Sequence, residues 1–347
     1  MISFRKFSSL ARRLAPHGCS GRRQASNGRT PRWPRLATTA TLLAAVALSA
    51  GCANLGERTG SAPVGDGEVK VVTTTNFITD TVRQIGGARV SVRALMGPGV
   101  DPHLYKASAG DVSALRDADV IFYGGLFLEA KMDEVFREIG GSRPVFAVAG
   151  MIPHARLLKA PVNASAEEEF DPHVWFDPSL WRYAALTVRD GLIEVDPEGA
   201  EAYRRNTRRF LADIKTLDRQ TRRRLSGIPE RQRVLVTSHD AFRYLGRRYG
   251  IQVAAIQGLS TAAEATTADI ERIAGLVADR GVKAVFIESS VPRQTVEAVL
   301  DSAREKGQEA EVGGELYSDS AGELGTREGT YQGMFEANVD SIVEGLK

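Results

Sequence analysis

The sequence predicts an α/β protein: two βα lobes with parallel sheets joined by one long rigid helix. Three observations predict it. Short apolar runs alternate with amphipathic stretches from Val69 onward, the alternation stops and restarts at Val234, and the longest helical pattern of the chain fills the gap. Strands that alternate with helices pair in parallel, with helices covering the sheet. The lobes are expected at residues 69–197 and 227–347, with the joining helix at 198–226.

The segment before the first lobe reads as an export signal. Residues 1–35 carry nine Lys or Arg and no acid, and an apolar run of 15 residues follows from Leu36 to Ala50. That run is short for a bilayer span and suits a signal-peptide core. It ends in Leu48-Ser49-Ala50-Gly51-Cys52, which resembles a bacterial lipobox, although Ser49 stands where Leu is usual. Residues 1–51 are thus expected to be a lipoprotein signal peptide, with Cys52 carrying the lipid that anchors the protein outside the cytoplasmic membrane. Residues 52–68 are small and polar and read as a flexible tether. The whole chain has net charge +2 and residues 1–51 contribute +9, so the remainder carries −7. An acidic exported domain is a poor nucleic-acid binder. Cys19 and Cys52 are the only cysteines, which leaves no pair for a disulfide after processing, so stability rests on burial.

In the first lobe the strand-like runs are Val69–Thr73, Val90–Met96, Val120–Tyr123 and Val145–Val148. In the second they are Val234–Thr237, Gln252–Ile256, Ala284–Ile287 and Glu309–Val312. Between the lobes, Ala200, Tyr203, Phe210, Ile214, Leu217 and Leu225 keep helical phase from Glu198 to about Leu225, with Asp196-Pro197 as the start signal and Gly227 and Pro229 as the stop. At 1.5 Å per residue such a helix is about 40 Å long. A single helix of that length resists bending, which predicts small lobe motion. The arginines of this helix (Arg204-Arg205, Arg208-Arg209, Arg222 to Arg224) interleave with Glu201, Asp213 and Asp218 and lack aromatic platforms, so they read as a solvated face. Gly124-Gly125 and Gly313-Gly314 read as turns after strands, without the Lys-Ser/Thr of a phosphate loop.

Chemistry concentrates in four short motifs: Asp101-Pro102-His103, Asp171-Pro172-His173, Ser238-His239-Asp240 and Ser318-Asp319-Ser320. Only five histidines occur, and three of them sit in these motifs. Imidazole nitrogen and carboxylate oxygen are accepted ligands of zinc and manganese, and three His with one Asp complete a four-coordinate site. His103 lies in a loop stiffened by Pro98 and Pro102, with Asp101 placed to orient it. His173 precedes a helix expected near Ser179; Asp171 reads as its orienting acid, Asp177 as part of the helix start, and Trp175 and Phe176 as core. His239 follows the strand Val234–Thr237, at the C-terminal strand end where open α/β sheets place ligands. Ser238 or Asp240 is a candidate cap of the helix that follows. Asp319 follows the last strand, and its candidacy rests on the second lobe otherwise offering only His239. His154, in Pro153-His154-Ala155, reads as an ordinary loop histidine.

These motifs, with Asp196-Pro197, Tyr203, Asn206, Ala241-Phe242, Gly329-Thr330-Tyr331 and Asn338-Val339, occur in one order along nearly the whole exported chain. In this the sequence resembles the TroA/PsaA/ZnuA-like family, the metal-binding lipoproteins of zinc and manganese ABC transporters. The resemblance implies a C-clamp with metal held between the lobes by His103 and His173 from the first and His239 and Asp319 from the second. It also implies a permease and its ATPase as partners, zinc or manganese as cargo, and a monomer. Nitrogen-rich ligation favours zinc at equilibrium. Against that, the segment between His103 and His173, including Pro161 to Phe170, lacks the His-rich loop of zinc-specific relatives, which tilts transport toward manganese, whereas His239 replaces the Glu of many manganese-specific ones.

The expected function is therefore metal capture outside the membrane and delivery to the permease, without catalysis. One alternative is an exported zinc metalloenzyme, with three His on the metal and Asp319 as general base, though no His-Glu-x-x-His segment is present. A surface adhesin is another, for which the sequence has no motif.

Overall fold

The first strand begins at Val69, and the computed structural model describes residues 68–162 and 164–347. The expected signal peptide, Cys52 and the tether up to residue 67 lie outside the described residues. The first lobe carries β1 (Val69–Thr73), α1 (Asn76–Gly86), β2 (Val90–Ala94), α2 (Ala109–Asp117), β3 (Val120–Tyr123), α3 (Asp133–Gly140), β4 (Val145–Ala147) and α4 (Pro178–Val195). After the linker helix α5 (Ala200–Leu225) come β5 (Val234–Thr237), α6 (Arg243–Tyr249), β6 (Gln252–Ala255), α7 (Thr267–Arg280), β7 (Ala284–Glu288), α8 (Gln294–Glu305), β8 (Glu311–Leu316) and α9 (Tyr331–Gly345).

Each lobe holds a four-stranded sheet, ordered β2-β1-β3-β4 and β6-β5-β7-β8, and every pairing within them is parallel. The winding is the same twice. Its reversal point lies at the C-terminal ends of β1 and β3 in one lobe and of β5 and β7 in the other, the usual ligand position in such sheets. The sheets are buried on both faces, so β3 (Val-Ile-Phe-Tyr) and β5 (Val-Leu-Val-Thr) read as continuous apolar runs rather than alternations.

Local chemistry sets the helix ends. Ser108 with Asp111 and Thr266 with Asp269 form capping boxes on α2 and α7, and Asp177 accepts from the Ser179 amide at the start of α4, with Pro178 in the first turn. In α5, Tyr203, Thr207, Phe210, Ile214, Leu217, Thr221 and Leu225 are buried along one stripe over 26 residues, about 39 Å. The stripe packs on α1, α4 and α9, so the linker is tied to elements of both lobes along its length.

The structure corrects three details. A 3-10 turn at Pro197–Gly199 precedes α5, so the α-helix starts two residues after Glu198. The cause is Asp196, whose carboxylate accepts from the Gly199 amide, Arg89 and the Tyr203 hydroxyl, which tightens the first turn. The last strand runs from Glu311 to Leu316 rather than from Glu309 to Val312, and Gly313-Gly314 lies inside it instead of forming a turn. A Cβ on Gly313 would come within 2.6 Å of the Ala284 Cβ, and Gly314 has φ +134°; the pair marks a register shift against β7 between Val285 and Ile287. Finally, neither Ser238 nor Asp240 caps α6, which begins after Phe242 without a side-chain cap.

No helix among the described residues is long and apolar enough to cross a membrane. The Asp196 corner yields a direct test. Asp196→Ala removes a carboxylate bonded to Arg89 at 2.7 and 2.8 Å and to Tyr203, and is expected to destabilise the protein by about 2 kcal/mol in urea unfolding while leaving metal stoichiometry intact.

Candidate metal site

His103, His173, His239 and Asp319 come from four separated loops, and their ligand atoms all lie within 4.8 Å of one another. His239 Nε2 is 3.2 Å from Asp319 Oδ2 and 3.4 Å from His173 Nε2. His173 Nε2 is 3.5 Å from Asp319 Oδ1, and His103 Nε2 is 3.7 Å from Oδ2. A tetrahedral ion bonded at about 2.0–2.1 Å spaces its ligand atoms about 3.3 Å apart, so these separations suit such an ion. All four residues are buried, His103 at 3 % exposure and the others at 0 %.

Two oriented imidazoles define the floor. His173 Nδ1 donates to Asp171 Oδ1 at 2.8 Å, which turns Nε2 toward Asp319, and Asp171 also accepts the His173 amide at 3.0 Å. His239 has the same arrangement with Glu288: its amide donates to Oε1 at 2.8 Å and its Nδ1 to Oε2 at 2.5 Å. Carboxylates that hold a histidine by its far nitrogen fix the ring and raise its basicity toward metal. The sequence reading missed Glu288. The available signal was its place at the C-terminal end of the apolar strand β7, beside the strand that delivers His239.

Asp101 corrects the symmetry suggested by its motif. Like Asp171 it accepts its own histidine's amide, at 2.8 Å, but its second oxygen accepts from the Thr261 hydroxyl at 2.5 Å rather than reaching the His103 ring. Asp177 opens α4, and Trp175 and Phe176 are buried core, as the sequence indicated. His154 is exposed in a 3-10 turn, its ring tilted against Phe170 at 5.1 Å between centroids, and stays outside the cluster.

Burial and charge set the protonation. Burial holds the His103 imidazole down at about 3, so it is neutral and ready to ligate. Burial opposes charge on His173 and His239 too, but carboxylates win: Asp171 and Asp319 raise His173 to about 9, and Glu288 and Asp319 raise His239 well above its usual value. Burial would raise Asp319, yet the facing imidazoles, His239 foremost, hold it well below the usual carboxylate range. An anion thus faces two imidazoles that carry protons until a cation replaces them. Apart from these imidazole contacts, both Asp319 oxygens and His103 Nε2 are buried without a hydrogen-bond partner. Buried polar atoms are seldom left so, and a metal ion satisfies all three.

These features agree with the sequence comparisons. The family model described as zinc-uptake complex component A, periplasmic (ZnuA), matches residues 71–345. The chain belongs to this family. It is 45 % identical over 282 residues to the manganese-binding lipoprotein MntA of Bacillus subtilis, covering 81 % of this chain and 91 % of that one. It is 46 % identical over 281 residues to the zinc-binding protein TroA of Treponema pallidum, covering 81 % and 90 %. The solved structure of the periplasmic zinc-binding protein TroA superposes with a TM-score of 0.77 at 45 % identity, over 81 % of this chain and 99 % of that one.

Two outcomes are expected of the site. Glu288→Gln keeps all four ligand atoms but loosens His239, and is expected to weaken zinc binding by about 10- to 100-fold in chelator competition. Because His173 titrates near 9 and His239 well above its usual range, metal must displace protons at pH 7. Binding is therefore expected to weaken as pH falls, by about tenfold per pH unit for each proton displaced, with calorimetric heats that vary with the buffer's ionisation enthalpy.

Proposed function

We propose that this protein captures a divalent transition metal, zinc or manganese, outside the cytoplasmic membrane and delivers it to an ABC permease driven by its ATPase. His103, His173, His239 and Asp319 are the ligands, Cys52 carries the lipid anchor at the end of a signal peptide spanning 1–51, and the protein works as a monomer. The observation that carries this reading is the Asp319 carboxylate, fully buried, with no partner at either oxygen except the three imidazoles that ring it.

The donor set bears on the choice of ion. Three nitrogen donors favour zinc at equilibrium. Both Asp319 oxygens nevertheless face the cluster, Oδ1 toward His173 and Oδ2 toward His103 and His239, so a bidentate carboxylate offers a fifth donor to a larger ion such as manganese. The ion is cargo in this reading, and no reaction is assigned. The metalloenzyme alternative needs Asp319 free as a general base, whereas Asp319 stands at the centre of the ligand cluster.

Metal analysis after native expression is expected to return one ion per chain. His103→Ala and Asp319→Ala are each expected to lose stoichiometric metal, by about 100-fold or more in affinity, and unchanged binding in both variants would end the assignment. A deletion strain is expected to fail on limiting zinc or on limiting manganese, and the failing condition names the transported ion.

A further inference from the structure

The four ligands divide two and two by sequence, but three and one by what holds them. His173 belongs to the first lobe, yet its segment is bonded throughout to the second. Trp175 Nε1 donates to the Ser318 carbonyl at 3.0 Å, beside Asp319, and the Tyr331 hydroxyl donates to the Trp175 carbonyl at 2.8 Å. The Tyr244 hydroxyl donates to the Asp171 carbonyl at 3.0 Å, and Arg243 reaches the Lys159 carbonyl at 3.0 Å. His173, His239 and Asp319 thus form one platform in a buried aromatic and hydrogen-bonded base.

His103 is carried differently. Its loop, Gly97 to Leu104, crosses to the second lobe through two side-chain hydrogen bonds: the Gly99 amide to Ser320 Oγ at 2.9 Å, and Thr261 Oγ1 to Asp101 Oδ2 at 2.5 Å. Asp101 Oδ1 accepts the His103 amide at the same time, so the Thr261 hydroxyl is linked through one carboxylate to the backbone of the ligand. An open cleft of about 770 Å³ runs between Phe127 and Lys131 of the first lobe and the Gln257 to Thr266 segment of the second, and His103 is the one metal-site residue on its wall. Leu104, next in the chain, is half exposed.

We infer that His103 is the ligand that leaves and returns during metal exchange, and that Thr261 is a positioning residue whose bond to Asp101 holds the His103 loop closed over the ion. The inference rests on the metal-binding reading above. Opening this loop needs two cross-lobe hydrogen bonds to break, whereas lifting His173 off the platform would break the buried Trp175, Tyr244 and Tyr331 contacts as well. A large lobe rotation is not required, which fits the continuous α5 linker.

The test is release of Zn2+ from the loaded protein into an excess of chromophoric chelator, followed by stopped flow. Thr261→Val keeps the shape and removes the hydroxyl; its release rate is expected to rise about tenfold, with the far-UV circular dichroism of the metal-free protein unchanged. Thr261→Ser restores the hydroxyl and is expected to return the parental rate. Parental release from Thr261→Val, or release from Thr261→Ser as fast as from Thr261→Val, overturns the inference. If the parent itself retains no zinc, the metal-binding reading falls and this inference with it; a zinc-retaining parent with an unaffected Thr261→Val leaves that reading standing and removes the latch alone.

Discussion

The Asp319 carboxylate is the constraint on which the rest of the structure depends. A full negative charge at 0 % exposure, with no partner but imidazole at either oxygen, is tolerable only where cations surround it. Here the compensation is three imidazoles, two of them protonated in the metal-free form because Asp171 and Glu288 stand behind them. Replacing those protons with a divalent ion keeps the charge balanced and converts repulsion between imidazolium rings into shared ligation. The site is therefore organised before metal arrives.

Holding that arrangement takes more than ligand loops. Asn76 of α1 makes paired hydrogen bonds with the backbone of Ala321 and Gly322, and Asp80 accepts the Tyr331 amide, which fixes the segment after Asp319 against the first lobe. Phe77 packs against Trp175 at 4.6 Å between ring centroids within the first lobe, and Phe176 packs against Phe242 of the second at 4.4 Å, so an aromatic base beneath the imidazoles reaches across the lobes. A dry base of this kind keeps water from the charges and raises the strength of each electrostatic contact. The linker helix α5 then limits how far the lobes can part, leaving loop movement as the cheaper route to the ion.

Much of the fold was legible because it follows periodicity. Every strand start except that of β8 coincides with an apolar run read from the sequence, since parallel strands buried on both faces leave continuous Val, Ile and Leu. The β8 error arose from Gly313-Gly314, whose local signal says turn while the packing of Ala284 and Phe286 demands a residue without a side chain inside the strand. The candidate ligands were legible through residue economy: few histidines, most of them in short acidic motifs. Glu288 was not, because one acid at a strand end is common and only its partner across the sheet gives it meaning.

The sequence by itself determined the two βα lobes, the single linking helix and the identity of His103, His173, His239 and Asp319 as candidates, because hydrophobic periodicity and ligand chemistry are local properties. Only the tertiary structure decided that Glu288 orients His239, that Asp101 turns to Thr261 rather than to its own histidine's ring, and that His173 is held by the lobe it does not belong to. These are contacts between residues 49 to 160 positions apart, and no local pattern encodes which of two identical Asp-Pro-His motifs faces the opposite lobe and which is stitched into it.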